Sequence, residues 1–138
     1  MALIGGGGTG NVAGGANPSG TGSSLNIVGD HIFGNNNVTA NNTSITMFNH
    51  TNGAYYAVIS IAAGRNMKSS AEVTTIAELD GENCYEAKFD NGITSTLTMP
   101  FGTPFEMIIP PFSNFQLKFE VNDAEDTIGC TIQGRIYA

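Results

Sequence analysis

The chain has 138 residues, of which 41% are hydrophobic and 12% are charged, and its formal net charge is −7 at pH 7. This length predicts one domain, and the five basic residues stand singly along the sequence, so no cluster is available to neutralise successive phosphates of a nucleic acid. No apolar run approaches the about 20 residues that a membrane-spanning helix needs, so we expect neither a nucleic acid nor a membrane as partner.

The first segment of the chain is rich in glycine and free of charge. Residues 1–29 contain no charged side chain, and eleven of the 18 glycines precede residue 35. Ordering the backbone costs about 1–2 kcal/mol per residue, most for glycine, and glycine has no side chain with which to build a core. We therefore predict that residues 1–35 form an extended arm held by the surface of another chain, although a flexible linker is the alternative. The expected apolar anchors of this arm are Leu3, Ile4, Val12, Leu25, Ile27 and Val28.

The N-terminus does not resemble a secretion signal. The apolar run at residues 2–4 is short, and no basic residue precedes it. We therefore expect Cys84 and Cys130, which both lie in apolar alternating segments, to be reduced thiols in the core. A disulfide between them is the alternative.

Residues 36–138 are predicted to form an all-β body. Between residues 24 and 43, short apolar pairs alternate with Asn and Gly, which indicates brief extended pieces separated by turns. Further strands are predicted at residues 44–49, 55–62, 72–79, 84–89, 93–99, 105–109, 115–121 and 128–137. Turn residues separate these strands, and Asp90-Asn91-Gly92 gives the best hairpin prediction.

Alternation of apolar and polar residues predicts which side chains face the core. Leu117, Phe119 and Val121 share one face of their strand, as expected for a half-buried strand. In contrast, the run at residues 55–62 is nearly continuously apolar. It is therefore predicted to be a central strand covered on both faces, or a strand at a subunit interface.

We predict no catalytic, cofactor-binding or metal-binding residue. His31 and His50 have no cysteine or carboxylate nearby at the spacing of a metal site, and the run of four glycines lacks the Gly-Lys-Ser/Thr sequence of a phosphate loop. The acidic residues cluster weakly around residues 78–82 and 123–126. They are interpreted as solvated turn charges, with a weak cation site as the alternative.

Residues 99–115, with the sequence MPFGTPFEMIIPPFSNF, concentrate four of the five prolines and four phenylalanines. Proline belongs at the beginnings and edges of strands because it lacks the N–H of a central ladder. Exposed aromatic rings beside prolines would form a rigid apolar platform that is easily ordered on contact. We therefore predict that Phe101, Phe105 and Phe112 contact a partner, although the same rings could instead fill the ends of the core.

The uncharged arm, which begins MALIGGGGTG, the all-β body and the terminal strand IQGRIYA together resemble the decoration, or cement, proteins of tailed-phage capsids. The resemblance implies an antiparallel β-sandwich, jelly-roll-like, on the outer shell of a virion. It also implies synthesis in the host cytoplasm, assembly as a homotrimer, and arms that clamp neighbouring subunits of the major capsid protein. It implies no catalytic residue.

Two other functions share these sequence features. One is a trimeric receptor-binding or glycan-binding head, in which Tyr55, Tyr56 and the Asn-rich loops would contact sugar. The other is a structural subunit of a tail or baseplate. The absence of tryptophan weakens the glycan-binding interpretation because tryptophan is a favoured stacking surface.

Overall fold

A computed structural model describes residues 24–41, 44–67, 72–90, 97–100, 104–121 and 124–137. These residues form ten strands: β1 (Asn26–Val28), β2 (His31–Asn41), β3 (Ser44–Thr51), β4 (Tyr56–Met67), β5 (Glu72–Leu79), β6 (Glu82–Asp90), β7 (Leu97–Pro100), β8 (Phe105–Ile109), β9 (Asn114–Val121) and β10 (Ala124–Tyr137). In these ranges there is no helix with the length and apolar character needed to cross a membrane.

The strands form two antiparallel sheets with the order of a jelly roll. The six-stranded sheet has the order β1-β2-β10-β4-β7, and β8 also pairs with β4. Since Gly64 pairs with Pro100 and Ile61 with Phe105, β7 and β8 follow one another along the same edge of β4. The other sheet has four strands in the order β3-β9-β5-β6. Successive strands from β2 to β10 mostly alternate between the sheets, which confirms the predicted jelly-roll-like sandwich.

The core lies between the two sheets and follows the predicted alternation. Leu117 and Phe119 on β9 are fully buried, and Val121 is 6% exposed. On β4 the inward residues are likewise buried, whereas Tyr56 on the outward face is 52% exposed. The described part of the chain therefore does not cover the outer face of this apolar strand.

Strand positions follow the sequence closely, but the best hairpin prediction was wrong. β6 belongs to the four-stranded sheet and β7 to the six-stranded sheet, so Asp90-Asn91-Gly92 lies in a connection between sheets. The hairpin with this chemistry joins β5 to β6 at Asp80 and Gly81, whose φ angles of 52° and 87° fit a type I′ turn. A local turn signal cannot distinguish these cases because the partner of β7 is β4, far away in sequence.

The sandwich begins earlier than the boundary predicted at residue 35. β2 is a full strand, paired with β10 along most of its length, despite its three consecutive asparagines. One of them, Asn36, donates its side-chain Nδ2 to the carbonyl oxygen of Met47 at 2.8 Å. Ile32 on the same strand is fully buried. Residues 24–35 are therefore part of the body, and the rest of the predicted arm, residues 1–23, lies outside the described residues.

Both cysteines are free, but only one lies in the core. Cys130 on β10 is 4% exposed, and burial raises the pKa of its thiol to about 12. Cys84 is exposed, contrary to the prediction, because β6 is an edge strand with little covering it. Its Sγ donates a hydrogen bond to the carbonyl oxygen of Ala77 at 3.1 Å.

Gly134 lets β10 lie unusually close to β4. A Cβ atom at this position would overlap the carbonyl oxygen of Val58 and lie 2.8 Å from the Cα of Ile59. Both obstacles are backbone atoms of the neighbouring strand, so no side-chain rotation could relieve the overlap. Glycine is thus required here by packing and not by a turn.

We expect Gly134→Ala to lower the free energy of unfolding by about 1–3 kcal/mol, the usual cost of overpacking. Gly129→Ala on the same strand is the control, because the nearest atom to its added Cβ is Asn37 Nδ2 at 3.9 Å. That substitution should leave stability unchanged or raise it by about 0.5–1 kcal/mol. Urea denaturation of both variants measures the difference, and equal effects would contradict the packing argument.

Candidate contact surface

Four connections of the sandwich meet at one end, which we call the Phe112 end. They are residues 29–30, 52–55, 80–81 and 110–113. Backbone hydrogen bonds join them to neighbouring strands: Ile136 N donates to Asp30 O at 2.9 Å, and Asp80 N donates to Asn114 O at 2.8 Å. We call this hydrogen-bonded set of connections the frame.

Asn52 is the centre of this frame. The residue is 3% exposed, and its backbone N–H donates to the carbonyl oxygen of Ser113 at 3.0 Å. Its side-chain Nδ2 lies 2.9 Å from the carbonyl oxygen of Ile109 and 3.3 Å from those of Tyr55 and Pro110. A buried amide with these partners ties the connection after β3 to the connection after β8.

Phe112 is presented by this frame in a strained and exposed position. Its φ angle is 60° and it is 73% exposed. Ser113 N donates to Pro110 O at 3.3 Å, which closes a turn, and Phe112 N donates to Gly53 O at 3.0 Å. A turn with Pro in the second position and positive φ in the third normally has Gly or Asn in the third position. An aromatic residue there costs about 1–2 kcal/mol in backbone strain, and its ring recovers little by burial.

The other two predicted aromatic contacts differ from Phe112. Phe105 is half-buried, and its ring stacks on Tyr85 with centroids 4.0 Å apart and an interplanar angle of 15°. Because Tyr85 is on β6 and Phe105 is on β8, this pair joins the edges of the two sheets and has a structural role. Phe101 lies outside the described residues.

The six predicted arm anchors also fall into different groups: two are buried in the core, one is exposed, and three lie outside the described residues. Leu25 and Ile27 are 1% and 8% exposed and belong to the core of their own chain, so they are not available to a partner. Val28, at the end of β1, is 45% exposed. Leu3, Ile4 and Val12 lie outside the described residues.

Two adjacent tyrosines have different environments. Tyr55 is half-buried against the core, its ring lies over Gly53, and burial raises the pKa of its hydroxyl. Tyr56 is exposed on the outer face of the six-stranded sheet. Only the second is therefore placed to contact a ligand.

The acidic residues around β5 and β6 take part in structural contacts. Glu78 Oε2 pairs with Lys118 Nζ at 2.7 Å, and Asp80 Oδ1 accepts a hydrogen bond from Asn114 N at 2.7 Å. Within the described ranges, no group of three or more His, Cys, Asp and Glu residues is arranged to hold a metal ion. The geometry gives no support to a cation site here.

Sequence reasoning did not identify Asn52 as a functional residue. The pair Asn52-Gly53 carries only a turn signal in the sequence, and the partners of Asn52 lie 57 and 61 residues further along the chain, at Ile109 and Ser113. The density of prolines at residues 110–111 was the available signal for Phe112. Nothing in the local sequence indicated the positive φ angle.

No family model matches the chain, and no curated protein matches it. Among solved structures, infectious bursal disease virus Gx strain is 14% identical, with a TM-score of 0.45 over 80% of this chain and 35% of that chain. The VP2 subviral particle of infectious bursal disease virus is 15% identical, with a TM-score of 0.44 over 75% of this chain and 33% of that chain. A pentameric capsid protein isolated from metagenomic phage sequences is 17% identical, with a TM-score of 0.35 over 77% of this chain and 65% of that chain. This chain spans about a third of the length of the first two.

We expect His50, beside the Asn52 frame, to make stability depend on pH. His50 is 8% exposed, and burial lowers the pKa of its imidazole, with the neighbouring Asn52 amide opposing part of this shift. The unfolded chain therefore binds the proton more readily, so stability is complete above about pH 6.5 and falls as the pH decreases toward the lower folded pKa. His50→Gln should flatten this dependence below about pH 6.5 in urea denaturation. Exposed His31→Gln is the control and should retain it.

We expect the backbone strain at Phe112 to appear in a comparison of two truncations. Phe112→Gly and Phe112→Ala both remove the exposed ring, but only glycine adopts positive φ without steric cost. The Gly variant should therefore be more stable than the Ala variant by about 1 kcal/mol, the reverse of the order in ordinary extended backbone. Thermal unfolding measures this difference. An Ala variant at least as stable as the Gly variant would contradict the strained turn.

Proposed function

We propose that this chain is a structural virion protein that decorates and stabilises a capsid, with the Phe112 end contacting neighbouring subunits. The observation that carries the proposal is the position of Phe112, strained in its backbone and 73% exposed on a hydrogen-bonded frame. Strain of this kind is characteristic of functional positions. Neither the fold nor the core requires a phenylalanine there.

The chemistry of Phe112 favours a protein partner over a reaction. A phenyl ring has no group that can transfer a proton or attack a substrate, but it releases a large apolar area from water when it enters a pocket. The frame around Asn52 holds the ring before contact is made, which reduces the entropy lost on association. We propose no catalytic activity.

The fold and composition support the same role. Double-sheet jelly rolls occur in viral capsid domains, and also in lectin domains and cupins. Charged residues make up only 12% of the chain, which suits a protein that packs against other subunits. The proposed partners are the major capsid protein and further copies of this chain, as a homotrimer on the capsid surface, after synthesis in the host cytoplasm.

Residues 1–23 complete the proposed clamp. Their apolar side chains Leu3, Ile4 and Val12 would anchor the segment on a capsid subunit, beside exposed Val28 at the start of the sandwich. A glycine-rich segment can approach another backbone closely and add to an exposed strand edge. With many copies on one shell, modest contacts by each arm act together.

The test uses shells assembled from the major capsid protein of the same genome, to which the purified chain is added. We expect Phe112→Ser to weaken retention by about tenfold or more, as truncation of an aromatic anchor does. Ile108→Ser is the matched control, because Ile108 is also a large exposed apolar residue, 56% exposed, but lies on the sheet face. Quantitative electrophoresis of sedimented shells measures occupancy.

Removal of residues 1–23 should also lower occupancy without lowering the unfolding temperature of the body. Full occupancy by both this deletion and Phe112→Ser would rule out clamping of a capsid. Binding to assembled tails or baseplates in place of shells would favour the tail or baseplate role.

A further inference from the structure

A trough of about 360 Å³ lies on the outer face of the six-stranded sheet. Its shape follows from residue sizes across three neighbouring strands. β4 presents the small side chains of Val58 and Ser60, while β10 places Arg135 opposite Val58 and Gln133 opposite Ser60. On the other side, β8 places Glu106 opposite Ser60. The short side chains on β4 lie between the longer side chains on β10 and β8, and this difference in length forms the concavity.

Gly134, where β10 lies close to β4, and Tyr137 also line the trough. Tyr137 is 53% exposed, and it pairs across the strands with Tyr56. The trough thus combines an aromatic ring and an apolar valine with several polar side chains. Its volume falls within the range of about 300–1,000 Å³ found for small-molecule sites.

The polar side chains in the trough offer both kinds of hydrogen-bonding group. The Gln133 amide and the Ser60 hydroxyl can each donate and accept, Arg135 donates, and the Glu106 carboxylate accepts. A sugar hydroxyl also donates and accepts at the same time, so it needs such a mixed set. The ring of Tyr137 and the methyl groups of Val58 suit the apolar C–H face of a sugar.

The charges around the trough decide between a neutral and an anionic ligand. Arg135 Nη1 lies 3.6 Å from Asp30 Oδ2, and His31 Nε2 lies 3.4 Å from Asp30 Oδ1. Glu106 adds a further negative charge, and the whole chain has a formal net charge of −7. The site therefore has no positive excess with which to attract a phosphate or a carboxylate.

We propose that this trough binds a neutral hexose unit of a glycan. Gln133, Ser60 and Glu106 bind its hydroxyl groups, and Tyr137 and Val58 contact its apolar face. The trough is shallow and open, so binding by one copy is weak and becomes effective when many copies act together. The site lies on the sheet face beside the Phe112 end, to which its neighbour Asp30 belongs, but none of the residues proposed to contact the sugar forms that end. It therefore stands independently of the proposed clamping function.

The test is saturation-transfer NMR on the full chain with lactose and maltose as neutral probes and sialyllactose as the acidic probe. We expect saturation transfer to a neutral probe, with no stronger transfer to sialyllactose. Gln133→Ala should weaken the binding by about fivefold, as loss of a neutral hydrogen-bonding group does. Gln116→Ala, on the outer face of β9 in the other sheet, is the matched control and should leave binding unchanged.

Ser60→Phe should abolish binding by filling the trough, and phenylalanine is well tolerated in a strand, so the variant remains folded. Near-ultraviolet circular dichroism and the unfolding temperature verify that each variant is folded. Absence of transfer to both neutral probes, preference for sialyllactose, or binding that survives Ser60→Phe would each overturn the proposal.

Discussion

The buried amide of Asn52 is the interaction on which the Phe112 end depends. It joins the connection after β3, at the edge of one sheet, to the connection after β8, at the edge of the other. A neutral buried amide that lost these partners would leave polar groups unsatisfied, at a cost of about 1–3 kcal/mol. The two sheets are held together mainly by apolar contacts, which have no preferred direction. The hydrogen bonds of Asn52 add directional contacts between them at one end. Because these hydrogen bonds use backbone carbonyl groups, they fix the backbone of the loops without restricting which side chains the loops expose.

That freedom explains how Phe112 can occupy a turn position that suits glycine. The other positive φ angles of the described chain occur at Gly29, Asp80 and Gly81, residue types that tolerate them in turns. Phe112 alone combines positive φ with a bulky side chain. A free loop would relax to a common backbone conformation, but the hydrogen bonds to Gly53 and Pro110 prevent this. The stability given by the frame thus offsets the strain of a ring that is held in water, in position for contact.

The residues that could be predicted were those whose roles are set by near neighbours. Alternation placed Leu117 and Phe119 in the core, and two strands, β5 and β8, were predicted with their observed bounds. β2 was predicted only in fragments, since asparagine has low strand propensity and the paired residues of β10 lie 83 to 104 positions further along the chain. The same reason applies to the frame and the trough. Asn52 and Ile109 are 57 residues apart, and the trough needs three strands in register.

The jelly roll separates the two proposed surfaces on one small body. Its connections gather at the ends of the strands, and its sheet faces are formed by side chains within the strands. A body seated by the Phe112 end would bury loops while leaving the outer face of the six-stranded sheet along its side. The central strand β4 reflects this division. Its inward residues build the core, and its outward residues are short enough to form a trough, so the nearly continuous apolar run serves the fold on one face and leaves the other open.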